Sequence, residues 1–247
     1  MRTIFALALV LVVGGTCGCK RSELDSFHSN WKKLPISPLA GSYYLQQAAT
    51  SPCTWYVHAD GDRITIQRIS ITSPQRTLES RLQFAGGTLV GENRGEWGGS
   101  LLVQEKSNGT PREILSKNVL QMYPMQDGVV VVTGRPDAND GSVWLYSEAA
   151  GHSWHISEKA GLHGYPRTIG KNGNRMLFAY GDAVSTMEED FRERQIATLP
   201  LLETYPNSIA QDAKGNIYIG MNGFVVRLLS ERNGYTQQWF TQRECLR

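Results

Sequence analysis

The chain has 247 residues, 40% of them hydrophobic, with 25 Lys and Arg against 23 Asp and Glu and a formal net charge of +2. Near-neutrality without a Lys/Arg cluster excludes the electrostatic footprint of a nucleic-acid binder, so no nucleic-acid partner is expected. The length suits one large all-β domain or two small ones.

The N-terminus reads as a leader. Arg2 supplies a short positive region, Ile4 to Val13 ten apolar residues, and Gly14-Gly15-Thr16 small residues before a cysteine, the layout of a bacterial export signal. Ten apolar residues are too few to span a bilayer. The stretch Thr16-Cys17-Gly18-Cys19 resembles a lipobox with Gly directly before the modified cysteine, and Cys19 is the expected lipidation site; Thr16 stands where such motifs carry Leu. Lipoproteins of Gram-negative bacteria that carry Lys rather than Asp after the cysteine, here Lys20, generally go to the outer membrane. The resemblance therefore implies a chain held on the periplasmic side of the outer membrane by its lipid alone. Residues 1–18 are read as the signal peptide, 19–39 as a Ser- and Pro-containing tether, and 40–247 as the folded domain.

Only Cys53 and Cys245 remain in that domain. An even pair in an exported chain points to a disulfide rather than a metal or catalytic site, and this one would fasten the two ends of the domain together.

The domain is organised as a repeat. A Gly before an apolar strand recurs at Gly41, Gly87, Gly128, Gly173 and Gly215, at intervals of 46, 41, 45 and 42 residues. A second strand follows each: Thr54 to Val57, Ser100 to Val103, Ser142 to Tyr146, and Phe224 to Leu228. After Gly173 the matching stretch, Ala183 to Arg194, reads as a strand ending in a charged outer loop. A third strand closes most units, at Glu113 to Leu115, Ser153 to Ile156, Gln195 to Leu199 and Tyr235 to Phe240. This period and order predict an all-β β-propeller of about five four-stranded blades, or six if the first unit holds two short ones. A pair of β-sandwiches or an open solenoid would not repeat at this length with the same internal order.

The last unit is the clearest. Tyr205-Pro206-Asn207-Ser208-Ile209-Ala210, Asp212, Gly215 to Gly220 and Val226-Arg227-Leu228 resemble the blades of NHL-repeat and SMP-30/gluconolactonase-like propellers. The SMP-30 resemblance implies an alternative function, a metal-dependent lactonase or esterase, with Asn207 at the position of one divalent-cation ligand. Ser208 stands where that family has Gly, and no early Glu-Gly-Pro segment supplies a first carboxylate. Asn207 is accordingly read as a turn residue capping local backbone.

Other clusters have plain readings beside their chemical ones. Asp137 and Asp140, with Gly141 and Glu148, suggest a calcium loop, but the second Asp and the Gly fall one place early, so a hairpin connection is expected. His152, His155 and His163 lie within twelve residues without a cysteine or carboxylate at ligand spacing, the composition of a solvated loop. Glu92 and Glu96 could act as acid and base on a sugar only if they shared a cleft. No Gly-x-Ser-x-Gly elbow is present. Most of the six tryptophans fall in strands; one or two exposed on a face would anchor a partner. The expectation is a non-catalytic propeller without a cofactor that binds a protein of the cell envelope. It would act as inhibitor or immunity protein of a secreted toxin or lytic enzyme, or as an assembly scaffold.

Overall fold

The computed structural model describes residues 31–34, 50–69, 78–106, 109–149, 153–199 and 205–245. After a short β1 (Trp31–Lys33), β2 (Thr54–Asp60) and β3 (Arg63–Ile69) form a two-stranded hairpin. The next sheet is β4 (Leu78–Phe84), β5 (Gly87–Asn93), β6 (Leu101–Glu105) and β7 (Arg112–Leu115). It is followed by β8 (Val119–Met125), β9 (Gly128–Arg135), β10 (Asp140–Glu148) and β11 (Trp154–Gly161). Then come β12 (Thr168–Asn172), β13 (Arg175–Ala179), β14 (Ala183–Met187) and β15 (Glu193–Thr198). The last sheet is β16 (Pro206–Gln211), β17 (Ile217–Met221), β18 (Val225–Glu231) and β19 (Gly234–Gln242), with β1 added outside β19.

Each four-stranded sheet is an antiparallel meander whose second strand is deeply buried. Val129, Val130, Val131 and Val132 of β9 are all 2% exposed or less, so that strand is covered on both faces. That double burial is why it reads as an unbroken apolar run rather than an alternation. The repeat glycines mark where these strands begin. A Cβ on Gly87 would meet the Gln104 carbonyl at 2.1 Å, and one on Gly128 the Tyr146 carbonyl at 2.2 Å, the same close approach in two successive sheets. A register shift recurs between third and fourth strands, at Leu101/Leu102, Val143/Trp144 and Val184/Ser185, a bulge that adds twist as each sheet nears its outer edge.

Neighbouring sheets pack face to face through apolar layers. Leu89 and Val103 meet Val119 and Val131; Val132 and Val143 meet Phe178 and Met187; Leu177 and Val184 meet Ile209 and Ile219. Trp55 and Val57 of the first hairpin then meet Tyr218 and Val225 of the last sheet. Each fully buried side chain of this size contributes roughly 1.5–3 kcal/mol. First strands lie innermost: the Tyr123 hydroxyl on β8 donates to the Ile169 carbonyl on β12 at 3.4 Å. Burial, with a smaller push from the Tyr56 phenol on β2, raises the pKa of Tyr123. The fold is a β-propeller with five sheets among the described residues, as the repeat predicts.

The first unit differs from its expectation. Thr54 to Val57, expected as the strand following the one at Gly41, opens β2, which packs on β16 and β17 as β16 packs on β12 and β13. The turn glycine of this unit is Gly61, and Gly41 lies outside the described residues. Part of the expected tether also joins the fold. Trp31, Lys32 and Lys33 pair with Gln242, Thr241 and Phe240, and Leu34 is 3% exposed in the core layer beside Trp239.

The Cys53–Cys245 disulfide is present, spanning 192 residues with a Cα–Cα distance of 5.6 Å. Around it the Gly223 N–H donates to the Cys53 carbonyl at 2.8 Å and the Thr54 hydroxyl to Asn222 Oδ1 at 3.0 Å. The first hairpin and the last sheet are thus fastened covalently.

Candidate functional site

In an antiparallel meander, alternate connections lie at the same end of the sheet. The β5–β6, β7–β8, β9–β10, β11–β12 and β13–β14 connections therefore gather on one face, here termed upper, and hydrogen bonds link them from sheet to sheet. The Arg94 N–H donates to Asn118 Oδ1 at 3.1 Å, the Gly134 N–H to the Asn118 carbonyl at 3.2 Å, and the Tyr165 N–H to Asn139 Oδ1 at 3.2 Å.

The β5–β6 connection carries the most exposed large hydrophobic side chain among the described residues, Trp97, at 89%. It sits on a 3-10 turn, Gly95–Trp97, and Gly95 and Gly98 take φ of 66° and 79°, a conformation open to glycine without steric cost. The turn is tied down on all sides. Arg94 N–H donates to the Gly98 carbonyl at 3.0 Å, Gly95 N–H to Asn93 Oδ1 at 2.9 Å, and the buried Asn118 amide donates to the Gly95 carbonyl. Glu92 pairs with Arg94 and accepts from the Ser100 hydroxyl at 2.9 Å. These contacts, the Ser100 hydroxyl first and Arg94 after it, hold the Glu92 carboxyl below its ordinary range. Of the two carboxylates considered from the sequence, Glu92 is thus engaged by Ser100 and Arg94, while Glu96 is exposed on the turn itself.

Beside Trp97 a groove of about 380 Å³ runs between two sheets, with Arg94, Lys117, Asn118, Arg135 and Asp140 among its walls. Lys117 Nζ lies 5.7 Å from the centre of the Trp144 ring, while Trp144 donates its indole N–H to Thr133 at 3.1 Å. The arrangement is a rigid turn presenting one apolar plate next to a polar trough. Chemically it can anchor and orient a partner.

The residues considered as metal ligands from the sequence make local contacts, and Asn207, read as a turn residue, lies within β16 with its amide nitrogen buried and unbonded. The Ser208 hydroxyl donates to Asn207 Oδ1 at 2.8 Å and itself accepts the Val57 N–H at 2.9 Å. Asp212 accepts from Lys214 N–H, Asn216 N–H and the Asn216 amide at 2.8–2.9 Å, closing the β16–β17 turn. Asp137 pairs with Arg135 at 3.2 Å, and Asp140 Oδ1 accepts the Arg135 N–H at 3.0 Å across the β9–β10 hairpin. Among the described residues, the one place where three His, Cys, Asp or Glu ligand atoms converge is the disulfide with Glu244. His155 lies on β11, whereas His163 in the next connection is 3.6 Å from Asp182; His152 and Cys19 lie outside the described residues.

Two features of this face were not singled out from the sequence. Asn118 has no local pattern, since its partners are 23 and 24 residues away. Trp97 did carry a signal: of the six tryptophans it alone stands among glycines, at Gly95, Gly98 and Gly99.

The class defined by fold and site is a disulfide-closed β-propeller with a rigid aromatic-tipped face. No protein-family model matches the chain, and no curated protein does. Among solved structures it is similar to a calcium-binding protein, regucalcin, from Agrobacterium tumefaciens strain C58, at 12% identity over 76% of this chain and 70% of that one, with a TM-score of 0.42. It is also similar to Ycf48 bound to D1 peptide, at 9% identity over 86% and 73% of the two chains and a TM-score of 0.40. A third is the complex of the fission yeast SREBP–SCAP binding domains, at 11% identity, 74% and 60% coverage and a TM-score of 0.35.

Proposed function

We propose that this chain is a non-catalytic binding protein of the cell envelope, lipid-anchored at Cys19 to the periplasmic side of the outer membrane, that captures another protein with its upper face. The carrying observation is Trp97, 89% exposed on a turn held by hydrogen bonds from three directions. Leaving an indole in water gains a folded monomer nothing, whereas tryptophan is the commonest kind of residue at the energetic centre of an interface. Rigidity adds to this, because a turn already fixed loses little entropy on binding.

Partners of this kind include a secreted toxin or lytic enzyme that the propeller inhibits and a component of an envelope assembly that it scaffolds. Identity of the captured protein separates the two roles. Capture from envelope extract on the full chain, compared with Trp97→Ala, is the test: the variant recovers roughly thirtyfold less of the same partner at unchanged melting temperature, corresponding to about 2 kcal/mol at a hot spot. Equal recovery on both would remove Trp97 as the anchor. Anchoring is read separately by mass spectrometry of the mature N-terminus, which should begin at a diacylglyceryl-modified Cys19. An unmodified N-terminus downstream of that cysteine would discard the lipid and leave a freely exported protein.

A further inference from the structure

One blade along from the Trp97 groove, the β11–β12 and β15–β16 connections bring Tyr165, Arg167 and Tyr205 together. The Arg167 guanidinium carbon is 5.6 Å from the centre of the Tyr165 ring and 5.3 Å from that of Tyr205. Its backbone N–H is tied to the Ala179 carbonyl at 2.9 Å, so the stack is fixed to the end of β13. Arg94 and Arg135, also on this face, each have a carboxylate, Glu92 and Asp137. Arg167 has none among the described residues, and both it and Tyr205, at 54%, are exposed. Burial pushes the Tyr165 phenol up while Arg167 pulls it back, as a cation held against that ring should.

We propose that Arg167, clamped between Tyr165 and Tyr205, is a binding site for a carboxylate of the protein partner. A guanidinium held by aromatic faces loses little rotamer freedom when it engages a ligand, and its planar fork offers two parallel N–H donors that match a carboxylate. Arg94 and Arg135 are neutralised within the face, whereas Arg167 has no carboxylate among the described residues and stands open to one from a partner. Tyr165 N–H is bonded to Asn139 in the β9–β10 turn, whose ends at Arg135 and Asp140 also wall the Trp97 groove. An extended segment crossing that turn could therefore place an apolar side chain on Trp97 and a carboxylate on Arg167. In this respect the inference deepens the reading of the upper face as a protein-binding surface.

The test uses two random heptapeptide display libraries panned on the immobilised full chain, one with internal peptides and one ending in a free carboxyl terminus. Wild-type protein should enrich Asp and Glu at least threefold in the first library, assigning a side-chain carboxylate, or select an Arg167-dependent terminal motif in the second, assigning a C-terminal one. Arg167→Gln should abolish that selection at unchanged melting temperature, while Arg167→Lys, which keeps charge but not the planar fork, should retain only part of it. Acidic selection that survives in Arg167→Gln, or no acidic or terminal preference on wild type, overturns the proposal. Trp97→Ala keeps the two readings apart. If it abolishes selection while Arg167→Gln has no effect, the face binds protein and the carboxylate site is wrong. If it has no effect while Arg167→Gln does, the carboxylate site stands without the tryptophan anchor.

Discussion

Replacing Cys53 and Cys245 together by alanine is expected to lower the unfolding free energy by about 4 kcal/mol and the melting temperature by about 10 °C. The cross-link closes a loop of 192 residues, and restricting an unfolded chain over that span amounts to roughly 5 kcal/mol in the chain-entropy model. Both cysteines are fully buried beside Trp55, Tyr218 and Val225, so removing the sulfurs also leaves a small void. Calorimetry with and without reductant gives the effect directly, and the oxidised double variant should match the reduced wild type. An unchanged midpoint would mean that the Gly223–Cys53 and Thr54–Asn222 hydrogen bonds hold the first hairpin to the last sheet on their own. Hydrogen exchange should locate the damage, with Thr54–Asp60 losing protection before the three middle sheets.

The second large effect concerns a residue that touches no partner. Asn118→Ala should lower stability by about 2 kcal/mol, because it removes two hydrogen bonds made from a position 1% exposed and leaves the Arg94 N–H and the Gly95 carbonyl only their backbone bonds to Gly98. The same substitution should weaken partner capture roughly tenfold although Trp97 is still present, since a loosened turn must be ordered again on binding. Asn118→Asp keeps the acceptor for Arg94 and loses the donor for Gly95, so it should fall between alanine and wild type. Exchange rates over residues 92–100 and the melting temperature are the measurements. Full capture by Asn118→Ala would show that the rigidity of this turn is irrelevant to binding.

Much of the propeller was legible because its second strands are buried on both faces. Glycine then an apolar run is hard to mistake, and Gly87, Gly128, Gly173 and Gly215 each introduce such a strand. The first unit failed for the opposite reason. Arg63–Ile69 and Leu78–Phe84 mix a few apolar residues with Arg, Gln, Glu, Thr and Ser, a weak signal in a chain already full of turns, and a two-stranded sheet breaks the spacing that the other units keep. The disulfide could be read from cysteine number and compartment alone. The upper face could not, because it is assembled from connections whose hydrogen bonds cross 23 to 26 residues and leave no periodic trace.

The placement of β1 sets a leash. Trp31–Lys33 is bonded along the outer edge of β19, so on the proposed anchoring only the eleven residues Lys20 to Asn30 separate the lipidated cysteine from the rigid body. Fully extended, they reach roughly 40 Å. The propeller would then patrol a layer little deeper than its own width, favouring partners lodged in or passing through the outer membrane over those diffusing across the periplasm.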